Sequence, residues 1–192
     1  MTVPATRELT ATNDAVGGFT SSDVLAQLHS DSEVISNVAK ADVVEIEIGA
    51  NDVAYSRSCG ASVACYQPMI GPIERNLNDI VARVRELTQG RQVLVILLDY
   101  WSVWLGGQYA EGRGPAYVSA ADEVTDRVNT VIKGTAAQTG SAYVDLRAAF
   151  KGPDYAYDET RYLASDGDHP NAAGHQQIAA AVDDVLTDDL NF

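Results

Sequence analysis

The chain has 192 residues and a mass of 20.5 kDa, the size of one domain. Hydrophobic residues make up 46% and charged residues 21%, a globular balance that argues against disorder, and no apolar run approaches the ~18 residues of a membrane span. With 13 Lys and Arg against 27 Asp and Glu the net charge is −14, which counts against nucleic-acid partners and anionic membranes and has solubility as its plain consequence.

In chain order, residues 8–15 (ELTATNDA) read as a weak strand. Gly17-Gly18 then allows a tight turn with exposed N–H groups, and 22–28 (SDVLAQL) predicts a short helix with Thr20 and Ser21 as caps. Val43, Val44, Ile46 and Ile48 form a β-branched strand that stops at Gly49. Asn51 follows directly, either as a helix cap or as an amide donor into a crevice. Cys59 and Cys65 enclose five residues, with no further Cys or nearby His to complete a zinc site. They lie in a stretch, 56–67, that reads as an exposed loop, so they are a local disulfide of an oxidising compartment or two thiols.

Ile73, Leu77, Ile80, Val84 and Leu87 share one helix face, and the helix ends at Gly90. Residues 93–98 (VLVILL) are a strand buried on both faces. Both tryptophans, Trp101 and Trp104, lie in the loop after it, where they line an apolar pocket or pack the loop down. Val124, Val128, Val131 and Ile132 mark another helix, 142–146 (AYVDL) a third clear strand, and Ile178, Val182, Val185 and Leu186 a final helix.

Strands alternating with helices imply an α/β fold of three layers, a parallel sheet between helices, over a single domain. Ligands of such sheets bind at the carboxyl ends of the strands. Past the last strand runs Asp166-Gly167-Asp168-His169-Pro170. His169, in a turn before a helix, suits a general base, and Asp166 is placed to orient it. His175 falls on the following helix and reads as structural; His29 reads as a surface residue. Asp166 and Asp168 lack the further ligands of a calcium loop, and no metal or cofactor is expected.

Taken together, these blocks resemble the SGNH (GDSL-type) hydrolases, a family of esterases and lipases with a flavodoxin-like sheet. The stretch 13–28 resembles the block that carries the oxyanion-hole glycine, here Gly18. Gly49-Ala50-Asn51-Asp52 matches G-x-N-D, with Asn51 as oxyanion donor, and Asp166-Gly-Asp-His169 matches D-x-x-H, the acid and base of a triad. The resemblance runs from about Thr10 to Leu186 and implies hydrolysis of small carboxylic esters. The family's first block, a central strand followed by Gly-Asp-Ser with the nucleophile, has no counterpart. Three readings account for this: an N-terminal truncation of a secreted protein, which also explains the absence of a signal peptide from these residues; a replacement serine among Ser21, Ser22, Ser56, Ser58 and Ser102; or a pseudoenzyme that binds carbohydrate or lipid. The resemblance leaves the nucleophile, the acyl and alcohol preference and the oligomeric state open.

Overall fold

The computed structural model describes residues 10–189, with side chains through Thr187. The Asp23 carboxylate accepts from both the hydroxyl and the N–H of Thr20, which fixes the start of α1 (Ser21–Ser30). Asp31 closes that helix and caps α2 (Ser32–Lys40) by accepting from the Glu33 and Val34 N–H groups. The chain enters β1 (Val43–Ile46), makes a 3-10 turn at Asn51–Val53 and runs into α3 (Val63–Leu87). Then come β2 (Leu94–Leu98), a short α4 (Gly107–Glu111) and α5 (Pro115–Thr139), which has proline at its first position and left-handed Gly140 after its last. The chain finishes with β3 (Ala142–Val144), α6 (Leu146–Lys151) and α7 (Ala172–Asp189).

The three strands form a parallel sheet in the order β1-β2-β3, with Val43 beside Leu94 and Ile96 beside Ala142. β2 is central and apolar on both faces. Val95 and Leu97 pack under α1, α2, α3 and α5, while Ile96 and Leu98 pack against α6 and α7. Each such fully buried aliphatic side chain contributes about 1.5–3 kcal/mol. The fold is therefore the expected α/β/α sandwich. Among the described residues, β1 has no strand partner on its other edge.

Three local expectations change. Within 8–15, residues 10–15 form no strand; Glu8 and Leu9 lie outside the described residues. Polar side chains hold this segment instead: Asn13 accepts from the Ala15 N–H, and the Asp14 carboxylate accepts from Asn37. The stretch 56–67 is a loop only in its first half, because α3 begins at Val63 and continues through Pro68 and Pro72. Tyr66, 1% exposed, anchors that first turn by taking the Ser56 N–H on its hydroxyl. Cys59 and Cys65 are disulfide-bonded, tying the loop to the start of α3. The third change is α2, which was not anticipated from the sequence.

Candidate active site

The acid, base and oxyanion-donor residues singled out from the sequence fall in two groups. The first surrounds Gly18. Phe19 N–H bonds to the Val16 carbonyl, closing a turn in which Gly18 has φ +86°. A side chain there would meet open space, so backbone conformation, not crowding, requires the glycine. The Gly18 N–H has no hydrogen-bond partner among the described residues. Asn51, exposed in the 3-10 turn after β1, donates to the Phe19 carbonyl at 3.0 Å. Its amide thus reaches the residue next to Gly18. Beneath them, Asp52 accepts from the Ser21 N–H at 2.8 Å and the Ser21 hydroxyl at 2.6 Å, and Asn76 of α3 donates to the same hydroxyl. This buried network locks α1, the 49–52 turn and α3 together.

The second group is the loop before α7. His169 Nδ1 lies 3.0 Å from the Asp166 carboxylate, whose other oxygen accepts from the Asp168 and His169 N–H groups. Those backbone bonds, and then the imidazole, hold the Asp166 carboxyl below its usual range. The loop is braced from both sides. Gly106 N–H bonds to the Gly167 carbonyl, and a side chain at Gly167 would stand 2.4 Å from the Tyr109 ring. Asn171 caps α7 through the Ala173 and Gly174 N–H groups and donates to the Arg161 and Leu163 carbonyls. The His169 side chain is 75% exposed, and its ring bonds only to Asp166 among the described residues. A base oriented by a carboxylate, with N–H donors available, is what moves a proton and holds an oxyanion in acyl transfer. Among the described residues no three His, Cys, Asp or Glu side chains form a group that could hold a metal ion.

The sequence of the GDSL-like lipase/acylhydrolase family matches residues 4–177. The chain belongs to that family. Among solved structures it is similar to an acetyl-xylooligosaccharide esterase variant of Geobacillus stearothermophilus, at 26% identity over 86% of this chain and 66% of that one, with a TM-score of 0.57. The chain therefore spans just under two thirds of that esterase. Variants of this acetylxylan esterase described as catalytic mutants replace one serine, one histidine and one aspartate, the aspartate three positions before the histidine. A lipase from a goat rumen metagenome shares the fold at 21% identity over 86% of this chain and 73% of that one, with a TM-score of 0.66. No curated protein sequence matches the chain.

Among the described residues, none of the five candidate serines is hydrogen-bonded to His169. Ser21 is fully buried with its proton committed to Asp52. Ser22 bonds to Thr20, Ser56 to Ser58, and Ser102, 8% exposed, bonds within its own turn. The tryptophans also take the packing alternative. Trp101, 5% exposed, stacks on Phe150 at 4.3 Å; Trp104, 2% exposed, donates from Nε1 to the Val53 carbonyl amid Tyr55, Tyr66 and Tyr117. Neither indole lines an open crevice, because both fill the cores on opposite faces of the loop. The exposed aromatics near the site are Tyr55 and Tyr109, which the sequence reading did not single out. Their closeness in sequence to Asn51 and to the tryptophan loop was the available signal. A surface depression of about 660 Å³, lined by residues from Glu111 to Asp126, runs along α5, and His169 is not among its lining residues.

Proposed function

We propose that this protein is the acid–base and oxyanion framework of a carboxylic-ester hydrolase working by Ser-His-Asp chemistry. The observation that carries this reading is the Asp166–His169 pair at 3.0 Å, in the same fold as the Gly18 and Asn51 donors. In the complete reaction, which needs a serine that none of the five candidate serines supplies here, His169 Nε2 takes the proton of that serine hydroxyl as its oxygen bonds to the ester carbon. The carbonyl oxygen becomes an oxyanion held by Gly18 N–H and Asn51 Nδ2. His169 then gives the proton to the departing alkoxide as the carbon–oxygen bond breaks, and water repeats the sequence on the acyl-serine. Asp166 fixes the tautomer and stabilises the charged ring. Small esters, among them the acetyl esters of the similar xylan esterase, fit this chemistry. The Cys59–Cys65 bond supports a site of action in an oxidising compartment outside the cytoplasm.

A second reading, a non-catalytic binding module for carbohydrate or lipid, is favoured by one observation: no serine hydroxyl is hydrogen-bonded to His169. The two part in a hydrolysis assay on p-nitrophenyl acetate, run beside fluorophosphonate labelling read by intact mass. With no serine in place, the hydrolase reading expects slow turnover in which His169 acts as base on water directly, so that the rate falls in His169→Ala and Asn51→Ala, with no serine adduct. Oxyanion and binding contributions alone sustain roughly 10³-fold acceleration over water without the nucleophile. A rate unchanged by both substitutions in well-folded protein contradicts the hydrolase reading and leaves the binding module.

A further inference from the structure

The short helix α4 begins at Gly106-Gly107 and has no side chain of its own to cap it. Its first N–H groups are taken by another segment. Gly107 N–H donates to the Glu159 carboxylate at 2.9 Å, and Gln108 N–H to the Thr160 hydroxyl at 2.8 Å. One residue earlier, Gly106 N–H donates to the Gly167 carbonyl at 2.9 Å, inside the turn that carries Asp166 and His169. Three successive N–H groups therefore tie the segment of Glu159 to the turn of the dyad.

A second route joins the same two segments directly. Ala164 N–H bonds to the His169 carbonyl at 2.8 Å, Asn171 N–H to the Tyr162 carbonyl at 2.8 Å, and Leu163 pairs antiparallel with Pro170. Tyr162 N–H in turn bonds to the Glu159 carbonyl. Glu159 thus holds one end of both routes, by its side chain and by its backbone. The joint has no slack: a Cβ at Gly106 would stand 2.6 Å from the Glu159 carboxylate oxygen.

Glu159 is 2% exposed, and its cationic partner Lys151 lies 3.5 Å away, shared with Asp122. A buried ion pair adds little net stability, because desolvation offsets the attraction. What this one supplies is a fixed acceptor for the Gly107 N–H. His169, by contrast, is open to solvent, and its ring bonds only to Asp166 among the described residues. Without that bond an exposed imidazole has no fixed tautomer. The bond depends on the backbone of the 166–169 turn, and that backbone is held by Gly106 and by residues 162–164.

We infer that Glu159, assisted by Thr160, is a positioning residue for His169. It fixes the turn in which Asp166 keeps the ring as the Nδ1–H tautomer, with Nε2 free to take a proton. This inference deepens the ester-hydrolase reading and rests on it for its meaning, but the state of the ring tests it without turnover.

The experiment is long-range ¹H–¹⁵N correlation NMR of the histidine rings at a pH where they are neutral, on the wild-type chain and on Glu159→Ala, Glu159→Gln and Thr160→Val. Thermal unfolding reports whether each variant is folded. In wild type, His169 Nδ1 is expected to read as protonated and Nε2 as bare. Glu159→Ala moves both nitrogens toward the averaged values of exchanging tautomers, and Thr160→Val moves them the same way by less. Glu159→Gln, whose amide oxygen still accepts from Gly107, keeps the wild-type pattern. His29 and His175 stay unchanged throughout. The His169-dependent hydrolysis of p-nitrophenyl acetate falls about tenfold in Glu159→Ala, as a misplaced base costs. A wild-type His169 pattern in folded Glu159→Ala overturns the inference and leaves Glu159 a structural cap, whatever the loss in Tm. Should Glu159→Ala not fold, an unchanged His169 pattern in Thr160→Val overturns it equally. An altered ring in the variants supports the inference even where wild type shows no His169-dependent hydrolysis, an outcome that fails the reaction reading alone. Hydrolysis that depends on His169, with a ring indifferent to Glu159 and Thr160, fails this inference alone.

Discussion

The proposed oxyanion donors, Gly18 and Asn51, and the Asp166–His169 pair are held in opposite ways. Gly18 and Asn51 are supported from beneath by buried polar bonds, Ser21 to Asp52 and Asn76, that join three elements. Asp166 and His169 are supported by their own backbone and by the neighbouring loop, with His169 left open to solvent. A donor must stay fixed where charge develops, whereas a base must reach its proton and release it. Substitutions under the donors should therefore cost stability and activity together, and substitutions in the dyad activity alone.

The sharpest way to break this contrast is Asp52→Ala. It strips the acceptor from the Ser21 N–H and hydroxyl, and should cost about 2–4 kcal/mol, roughly 5–15 °C in Tm by thermal unfolding. If it unfolds no more readily than wild type, the network is not a support.

Asp99, at the end of β2 between the two regions, gives a second test through pH. It is 1% exposed, and burial drives its carboxyl up to about 7 despite the Tyr143 hydroxyl at 2.6 Å and the Arg147 N–H. Between pH ~4 and ~7 the folded chain keeps a proton that the unfolded chain has lost. Stability from this group is therefore greatest below about pH 4 and declines as pH rises through 7, by on the order of 2–3 kcal/mol. Glu47, also raised to about 7 by burial and then by Asp99, acts in the same direction, but its contact with solvent reduces its share. Urea titrations at pH 5 and pH 8 should show this decline in wild type and a flatter profile in Asp99→Asn.

Gly167→Ala places a methyl against the Tyr109 ring at a residue with φ +79°. It should cost about 1–3 kcal/mol and reduce hydrolysis as the loop shifts. The smallest expected effect is on the stability of Asp166→Asn and His169→Ala, both at exposed positions: Tm should stay within about 2 °C of wild type while hydrolysis falls.

Much of this arrangement was legible in the sequence. The run 93–98 could only be a strand covered on both faces, and the Asp-x-x-His turn before a helix announced the dyad. Gly-x-Asn-Asp placed Asn51, although only the folded chain shows its amide reaching Phe19. What escaped depends on tertiary neighbours. Pro68 and Pro72 disguised the first turns of α3, since proline usually stops a helix. Trp101 and Trp104 look like pocket walls until Phe150 and Tyr66 are seen to enclose them.

The most direct test of the account is a double-substitution cycle on p-nitrophenyl acetate hydrolysis with Asn51→Ala and His169→Ala. If both act on one ester carbonyl, Asn51→Ala lowers the rate about tenfold or more in the wild-type background and by clearly less once His169 is gone, because only the residual oxyanion contribution remains. Equal effects of Asn51→Ala in both backgrounds, or none in either, would contradict the assembly of the two regions into one site.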